Sequence, residues 1–270
     1  AVLLIFTPSV HKQLVLKPRM NVSIIQSLFF FCLFFLFGST SAASFVETIS
    51  SIKPSIVAIG TFQKTRNPQY VFKGTGFVVG NGQQIITNNH VVPTKLDYEH
   101  NETLAIFTGK GKKVQAVSAD LIRKDATHDL ALLEIQQKLP ALSLSKNTSL
   151  PDGSEIAFTG FPIGMVLGIH PVTHQGIISA TVPLAVPPAN QKNLTTSMIR
   201  ALRNAFSVYQ LDAVAYPGNS GSPVYDKKTG KVIAVVNSVF VKGKKETALS
   251  EPTGITYAIP VKFVHQLLDR

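Results

Sequence analysis

The sequence predicts an all-β protein made of two six-stranded antiparallel β-barrels, with a short helix at each end. Short apolar runs, rich in β-branched and aromatic residues, alternate with turns of glycine, asparagine, aspartate and lysine, which is typical of antiparallel β structure. These runs fall into two sets of six without a repeated sequence, separated by the polar stretch 136–148. We therefore expect barrel 1 at about 55–139 and barrel 2 at about 154–260.

The elements follow in order along the chain. Ser44 and Glu47 have the spacing of a capping box, which opens a short helix that ends before Pro54. The strands predicted for barrel 1 are 55–62, 76–79, 84–88, 104–107, 114–120 and 130–135. Those predicted for barrel 2 are 155–161, 172–182, 208–213, 223–225, 232–240 and 255–259. A final helix is predicted over 261–270.

One insertion interrupts the second set of strands. Residues 183–196 form a loop rich in proline and asparagine, and a short helix is predicted over 197–206. An insertion of this length is either functional or a plain surface loop. The sequence leaves both interpretations open.

Residues 1–42 have the composition of a signal peptide. Ten uninterrupted apolar residues, 28–37, precede the small residues 38–43, and this apolar run is too short for a comfortable membrane span. Met20 is followed by no basic residue before the apolar run, so a start upstream of Met20 would supply the usual positive charge. We expect an exported protein, periplasmic or secreted, without a stable membrane span; an uncleaved N-terminal anchor is the alternative.

Composition narrows the classes of function. The net charge of +11 would favour an acidic partner, but the basic residues are scattered apart from 242–245, and no nucleic-acid-binding motif is present. Cys32, the only cysteine, lies in the apolar N-terminal run, so the body offers no disulfide, thiol nucleophile or cysteine-ligated metal. His170 and His174 have metal-ligand spacing only on a helix, which their β-rich surroundings disfavour. We expect no metal, no cofactor and no nucleic-acid partner.

Ser220 is a candidate nucleophile. It lies in a turn with Gly218 and Gly221, between two apolar stretches. Glycines in such a turn let a side chain stand clear of the backbone and let main-chain N–H groups face a ligand. The same pattern occurs in ordinary surface turns, so it indicates catalysis only if the chain also provides a general base and an acid.

His90 and Asp129 are the candidates for these two roles. His90 follows an apolar strand at a turn, although a histidine there can also be structural. Asp129 precedes an apolar strand, where a carboxylate without a partner is costly; it could instead cap the turn. The alternatives for the acid are Asp97, Asp120, Asp125 and Asp212. The order His90, Asp129, Ser220, with the serine in the second barrel, is that of the chymotrypsin arrangement, and it predicts a site in the cleft between the barrels.

Seven motifs occur in order along the chain, within a match that extends from about Val46 to Val264. They are residues 74–77, 86–92, 128–132, 175–180, 212–214, 217–221 and 257–260. Together they resemble the protease domain of the HtrA/Deg family of trypsin-like serine proteases. The resemblance implies a chymotrypsin/trypsin-like fold and a serine endopeptidase, over a domain of residues 43–270. No PDZ domain of the kind typical of the family is expected in this sequence.

The resemblance assigns roles to the candidate residues. It implies that His90 is the general base, Asp129 its orienting acid and Ser220 the nucleophile. The N–H groups of Gly218 and Ser220, with Asn219 shaping the turn, then form the oxyanion hole. It also implies a homotrimer built through N-terminal contacts. Family members commonly have glycine where this chain has Ser222, and the loop 183–206 is long for the family.

A substrate class follows from the same resemblance. Trypsin-like enzymes that cleave after lysine or arginine carry a carboxylate six residues before the serine, where this chain has Val214 with Ala215 beside it. An apolar pocket suits small or medium aliphatic side chains. Val236, Asn237 and Ser238 resemble the edge strand that pairs with an extended peptide. We therefore expect cleavage of unfolded or extended polypeptides through an acyl-enzyme intermediate.

Two alternatives to this function remain open. One is a catalytically latent peptide-binding or holdase protein on the same fold, in which the oxyanion turn is not formed. The other is a protease dedicated to a single exported substrate.

Overall fold

Two antiparallel sheets and two α-helices form the architecture of the domain. A computed structural model describes residues 44–111, 113–147, 149–162, 168–184, 206–237 and 255–270. The helices are α1 (Phe45–Ile52) and α2 (Val261–Asp269). The strands are β1 (Ile56–Phe62), β2 (Tyr70–Val79), β3 (Gln84–Thr87), β4 (Thr103–Lys110), β5 (Lys113–Ser118), β6 (Asp120–Asp125), β7 (Leu130–Glu134), β8 (Glu155–Gly160), β9 (Val172–Pro183), β10 (Ser207–Asp212), β11 (Pro223–Asp226), β12 (Val232–Asn237) and β13 (Ile255–Pro260).

The first sheet differs from the predicted six-stranded barrel. It has seven strands in the order β5-β4-β1-β2-β3-β7-β6, and no pairing of described strands closes it. The predicted strand 114–120 divides at Ala119 into β5, which pairs with β4, and β6, which pairs with β7. The sequence analysis did not predict strand β6, because its residues are mostly charged and exposed, a composition typical of a turn. The predicted second closed barrel is therefore not confirmed for the first half of the chain.

The second sheet is the predicted six-stranded barrel. Its strands close in the order β10-β13-β12-β11-β8-β9. The predicted strand 232–240 is described as far as Asn237. Most of the loop and helix predicted over 183–206 lies outside the described residues.

Buried apolar side chains pack within each half of the domain and also between the two sheets. One apolar cluster lies within the first sheet and another within the barrel. A third cluster contains side chains from both sheets and from α2, among them Phe77, Phe107, Tyr225, Ile259 and Leu267. This shared core fixes the seam at which residues of the two halves meet.

The helices predicted at the two ends of the domain are present. In α1 the capping box forms as expected: Glu47 N–H donates to the Ser44 hydroxyl (3.3 Å), and Ser44 N–H donates to the Glu47 carboxylate (2.8 Å). Helix α2 follows β13 directly and buries Leu267 and three other side chains. Neither helix has the length and apolar character that a membrane crossing needs, and the predicted signal region 1–42 lies outside the described residues.

Candidate active site

His90 and Asp129 come together where two paired strands meet their loops. Strands β3 and β7 are neighbours, with Thr87 opposite Ala131, so the residues after β3 face those before β7. Nδ1 of His90 lies 2.6 Å from Oδ2 of Asp129, and the His90 main-chain N–H donates to Oδ1 at 2.9 Å. The two side chains are 31% and 18% exposed. When Nδ1–H donates to the carboxylate, Nε2 of the neutral ring is left as a proton acceptor.

The backbone of Asp129 is held in an unusual conformation. Its φ of 52° lies in the left-handed region, which costs a residue with a Cβ about 1–2 kcal/mol. The Asp129 carbonyl accepts hydrogen bonds from the Asn88 side chain (3.0 Å) and from Asn89 N–H (3.1 Å). These contacts stabilise the conformation and fix the direction of the carboxylate.

Two alternative acids are paired elsewhere. Oδ2 of Asp125 lies 2.9 Å from Nδ1 of His128, and Asp97 pairs in the same way with His100 at 2.8 Å. Burial alone raises the pKa of Asp125, but hydrogen bonds from His128 and the nearby charge of Arg270 lower it overall. Its Oδ1 also accepts the His128 N–H (3.0 Å), so Asp125 supports the turn that carries Asp129.

Asn237 reaches the same carboxylate from the barrel. It ends β12 with no exposed surface, and its Nδ2 donates to Oδ2 of Asp129 at 2.7 Å. Sequence reasoning placed Asn237 only on the substrate edge and missed this contact. The available signal was a polar residue closing the apolar run of β12, and such a residue needs a partner when it is buried.

The turn that carries Ser220 is anchored to both halves of the protein. Ser220 is 6% exposed, and its carbonyl accepts from Thr75 N–H at 2.9 Å. The next residue, Gly221, donates to the carbonyl of Val236, directly before Asn237. The Ser220 turn and Asp129 are thus linked through the end of β12. Among the described residues the Ser220 hydroxyl forms no hydrogen bond, with His90 or with any other residue.

The main-chain N–H groups of Gly218 and Ser220 donate to no described residue. Gly218 has a φ of 102°, a conformation that glycine adopts without strain, and its carbonyl accepts from the Thr75 hydroxyl at 2.7 Å. Asn219 N–H donates to the Tyr216 carbonyl at 3.0 Å. The turn is therefore held by other groups.

Buried polar side chains lie beneath this turn. The Asn219 amide and the Ser222 hydroxyl are fully buried and have no hydrogen-bond partner among the described residues. Gly160 lies against them, because a Cβ at that position would meet the Ser222 hydroxyl and Asn219 Oδ1. The sequence analysis did not identify the contact between Thr75 and this turn. The available signal was the motif 74–77, which contains Thr75.

The predicted substrate-binding residues occupy different environments. Val214 and Ala215 are half-buried. Val236 is buried, and its N–H and carbonyl bind Ser222 and Gly221, so it anchors the turn that carries Ser220. Ser238 lies outside the described residues.

The described residues contain no group of three or more histidine, cysteine, aspartate or glutamate side chains that could hold a metal ion. His174 instead stacks on Phe158, with ring centroids 4.8 Å apart. Burial lowers the pKa of His174.

Comparisons with known proteins identify the domain. A family model, the trypsin-like peptidase domain, matches residues 74–235. A probable periplasmic serine endoprotease, DegP-like, of Pseudomonas fluorescens is 29% identical over 189 residues, which are 70% of this chain and 32% of that protein. Serine protease HTRA1B of Danio rerio is 30% identical over 227 residues, 82% of this chain and 40% of that protein. The chain thus spans about a third to two fifths of the length of these curated relatives.

Solved structures show the same fold. The HtrA-type protease AlgW with a decapeptide has a TM-score of 0.59 and 24% identity, and the match covers 84% of this chain and 67% of that one. These findings confirm the predicted relationship and a mostly β, trypsin-like fold. The chain therefore belongs to the trypsin-like peptidase family, and its domain is of the HtrA type.

Proposed function

We propose that this chain is a serine endopeptidase that cleaves unfolded or extended polypeptides. The observation that carries the proposal is the hydrogen-bonded pair of His90 and Asp129, which Asn237 connects to the strand that anchors the Ser220 turn. A carboxylate that orients an imidazole, together with a serine in a glycine turn, supplies the groups needed for acyl transfer.

The proposed reaction has two steps. The Ser220 hydroxyl attacks the scissile carbonyl while Nε2 of His90 takes its proton, and the resulting imidazolium then gives that proton to the leaving amine. Asp129 keeps the ring oriented and stabilises its charged form. Water then attacks the acyl-enzyme with His90 again as base, which releases the acid and restores Ser220. A catalytic hydrogen bond often forms only when substrate binds, so the lack of one between Ser220 and His90 in the free protein is compatible with this role.

The N–H groups of Gly218 and Ser220 would form the oxyanion hole, with Asn219 shaping the turn. Their lack of acceptors among the described residues supports this role. Donors aimed at the developing oxyanion are each worth about 3–4 kcal/mol in the transition state.

The proposed specificity is for small or medium aliphatic side chains. Val214 and Ala215 offer no carboxylate to a lysine or arginine, and leaving such a charge unpaired in an apolar pocket is costly. The extended substrate would pair with the chain at Asn237 and Ser238.

Export is part of the proposal. The signal-like residues 1–42 support it, as do relatives named as periplasmic. A homotrimer rests on the family resemblance alone, and sedimentation equilibrium would test it.

Ser220→Ala tests the assignment. With casein as an unfolded substrate, we expect cleavage to fall by about 10³-fold or more, and a fluorophosphonate to label the wild type at Ser220 only. The variant should unfold at the same temperature as the wild type, which separates loss of chemistry from loss of fold. Undiminished cleavage by the variant would refute the assignment. Absence of both labelling and cleavage in the wild type would favour the latent peptide-binding alternative.

A further inference from the structure

Thr256 makes a contact that the motifs do not account for. It lies in β13, is 1% exposed, and sits opposite Leu211 of β10. The ladder between these strands ends one pair later, at Asp212 and Ile255. Beyond this point the Thr256 side chain continues the connection: its hydroxyl accepts from Ala215 N–H at 3.0 Å and donates to the Ala213 carbonyl at 2.6 Å.

These two hydrogen bonds fix the backbone conformation of Val214, which lies between Ala213 and Ala215. The Ala213 carbonyl belongs to the peptide plane that precedes Val214, and the Ala215 N–H belongs to the plane that follows it. A peptide unit is planar, so holding both planes holds φ and ψ of Val214. Among the described strands Val214 has no ladder partner, and the two hydrogen bonds of Thr256 therefore determine the direction of its side chain.

The hydroxyl also has little left to offer a substrate. A threonine hydroxyl has one hydrogen to donate, and here it is donated to the Ala213 carbonyl. The oxygen also accepts from Ala215 N–H. The buried side chain therefore has no donor left for a polar group on P1, the substrate residue that precedes the scissile bond. Thr256 therefore affects the proposed pocket by fixing the position of Val214 in the pocket wall.

We propose that Thr256 is a specificity-determining positioning residue: by clamping the backbone on both sides of Val214, it sets the width of the P1 pocket. The proposal rests on the proposed function, in which Val214 and Ala215 form the wall of that pocket. Without the hydroxyl, Ala215 N–H and the Ala213 carbonyl lose their partner, and the segment is free to move away from β13. The pocket then accepts larger side chains and holds small ones less well.

Thr256→Val tests the proposal because it removes the hydroxyl and keeps the shape. Kinetics would use peptides that differ only in P1, carrying alanine, valine, leucine or phenylalanine, with active sites titrated by a fluorophosphonate. We expect the ratio of kcat/KM for valine over phenylalanine to fall about tenfold, a size within the range of pocket effects. Thr256→Ser keeps the hydroxyl and should retain the wild-type ratio.

A double-mutant cycle shows whether Thr256 acts through Val214. If it does, the effects of Thr256→Val and Val214→Ala on the P1 ratio are not additive, whereas independent sites would add. Thr256→Ala provides a second variant without the hydroxyl if the valine variant does not fold.

An equal loss of kcat/KM on all four peptides, or a serine variant that behaves like the valine variant, would overturn the proposal. A wild type that neither cleaves nor is labelled would instead refute the proposed function. The same P1 series can then be measured by fluorescence anisotropy as peptide binding to Ser220→Ala with and without Thr256→Val. An unchanged order of affinities there would overturn the role of Thr256 on its own.

Discussion

Ser222 places a buried hydroxyl next to the Ser220 turn, without a hydrogen-bond partner among the described residues. Leaving such a group unsatisfied costs about 1–3 kcal/mol. We therefore expect Ser222→Ala to raise the free energy of unfolding by about 1 kcal/mol, measured by urea denaturation.

The matched control for this substitution is Ser145→Ala. The Ser145 hydroxyl is also buried, but it donates to the Asn147 carbonyl at 3.0 Å and accepts from Asn147 N–H at 3.1 Å. Its removal should lower stability by about 1 kcal/mol. If Ser222→Ala destabilises the protein as much as this control does, the Ser222 hydroxyl has a partner and the prediction is wrong.

At the residue scale, the sequence motifs predicted more of the candidate site residues than the composition did. His90, Asp129 and Ser220 stand out because glycine turns and strand ends mark them in the sequence. Thr75 lies inside β2, and Asn237 lies inside the predicted strand 232–240, so neither residue is marked in the sequence by a turn or a strand end. Their importance comes from partners 143 and 108 positions away, and only the folded chain brings those partners together.

At the scale of elements, the ion pair of Arg66 and Glu102 ties the β1–β2 connection to the start of β4. Their side chains meet at 2.6 Å. Hydrogen bonds from the Thr61 side chain and from Asp97 N–H, with the charge of Arg66, lower the pKa of Glu102 from 4.5 to about 2. A carboxylate with a lowered pKa contributes stability above its ordinary pKa, and this contribution is lost as the pH falls from about 4.5 towards 2.

Glu102→Gln should therefore reduce the acid sensitivity of the protein. We expect the wild type to be more stable than the variant at pH 7, and the difference in free energy of unfolding to shrink as the pH falls from 5 to 3. Glu99→Gln removes an exposed charge from the same loop and should leave the wild-type pH profile unchanged. A constant difference between wild type and Glu102→Gln over this range would contradict the prediction.

The elements also show where sequence patterns fail. Strands of the barrel alternate or bury both faces, and all six were recognised. Strand β6 has an apolar pair, Leu121 and Ile122, that stays about half exposed, and four charged residues. Its strand conformation comes from pairing with β7, a tertiary effect that overrides local preference.

At the scale of the whole molecule, Thr75 joins the first sheet to the Ser220 turn of the barrel. Its N–H donates to the Ser220 carbonyl and its hydroxyl to the Gly218 carbonyl, while Phe161 N–H donates to that hydroxyl at 3.1 Å. The hydroxyl is fully buried and is used in both directions. One residue thus fixes the orientation of the Ser220 turn, the proposed oxyanion hole, relative to the half of the protein that carries His90.

Thr75→Val removes this hydroxyl and retains the side-chain shape. We expect the free energy of unfolding to fall by about 1–3 kcal/mol, because Phe161 N–H and the Gly218 carbonyl lose their buried partner. We also expect kcat to fall about tenfold or more with KM nearly unchanged, because an oxyanion donor that is slightly misplaced acts mainly on the transition state. Thr75→Ser, which keeps the hydroxyl, should recover most of kcat. A valine variant that loses stability but keeps the wild-type kcat would show that the seam supports the fold without positioning the catalytic turn.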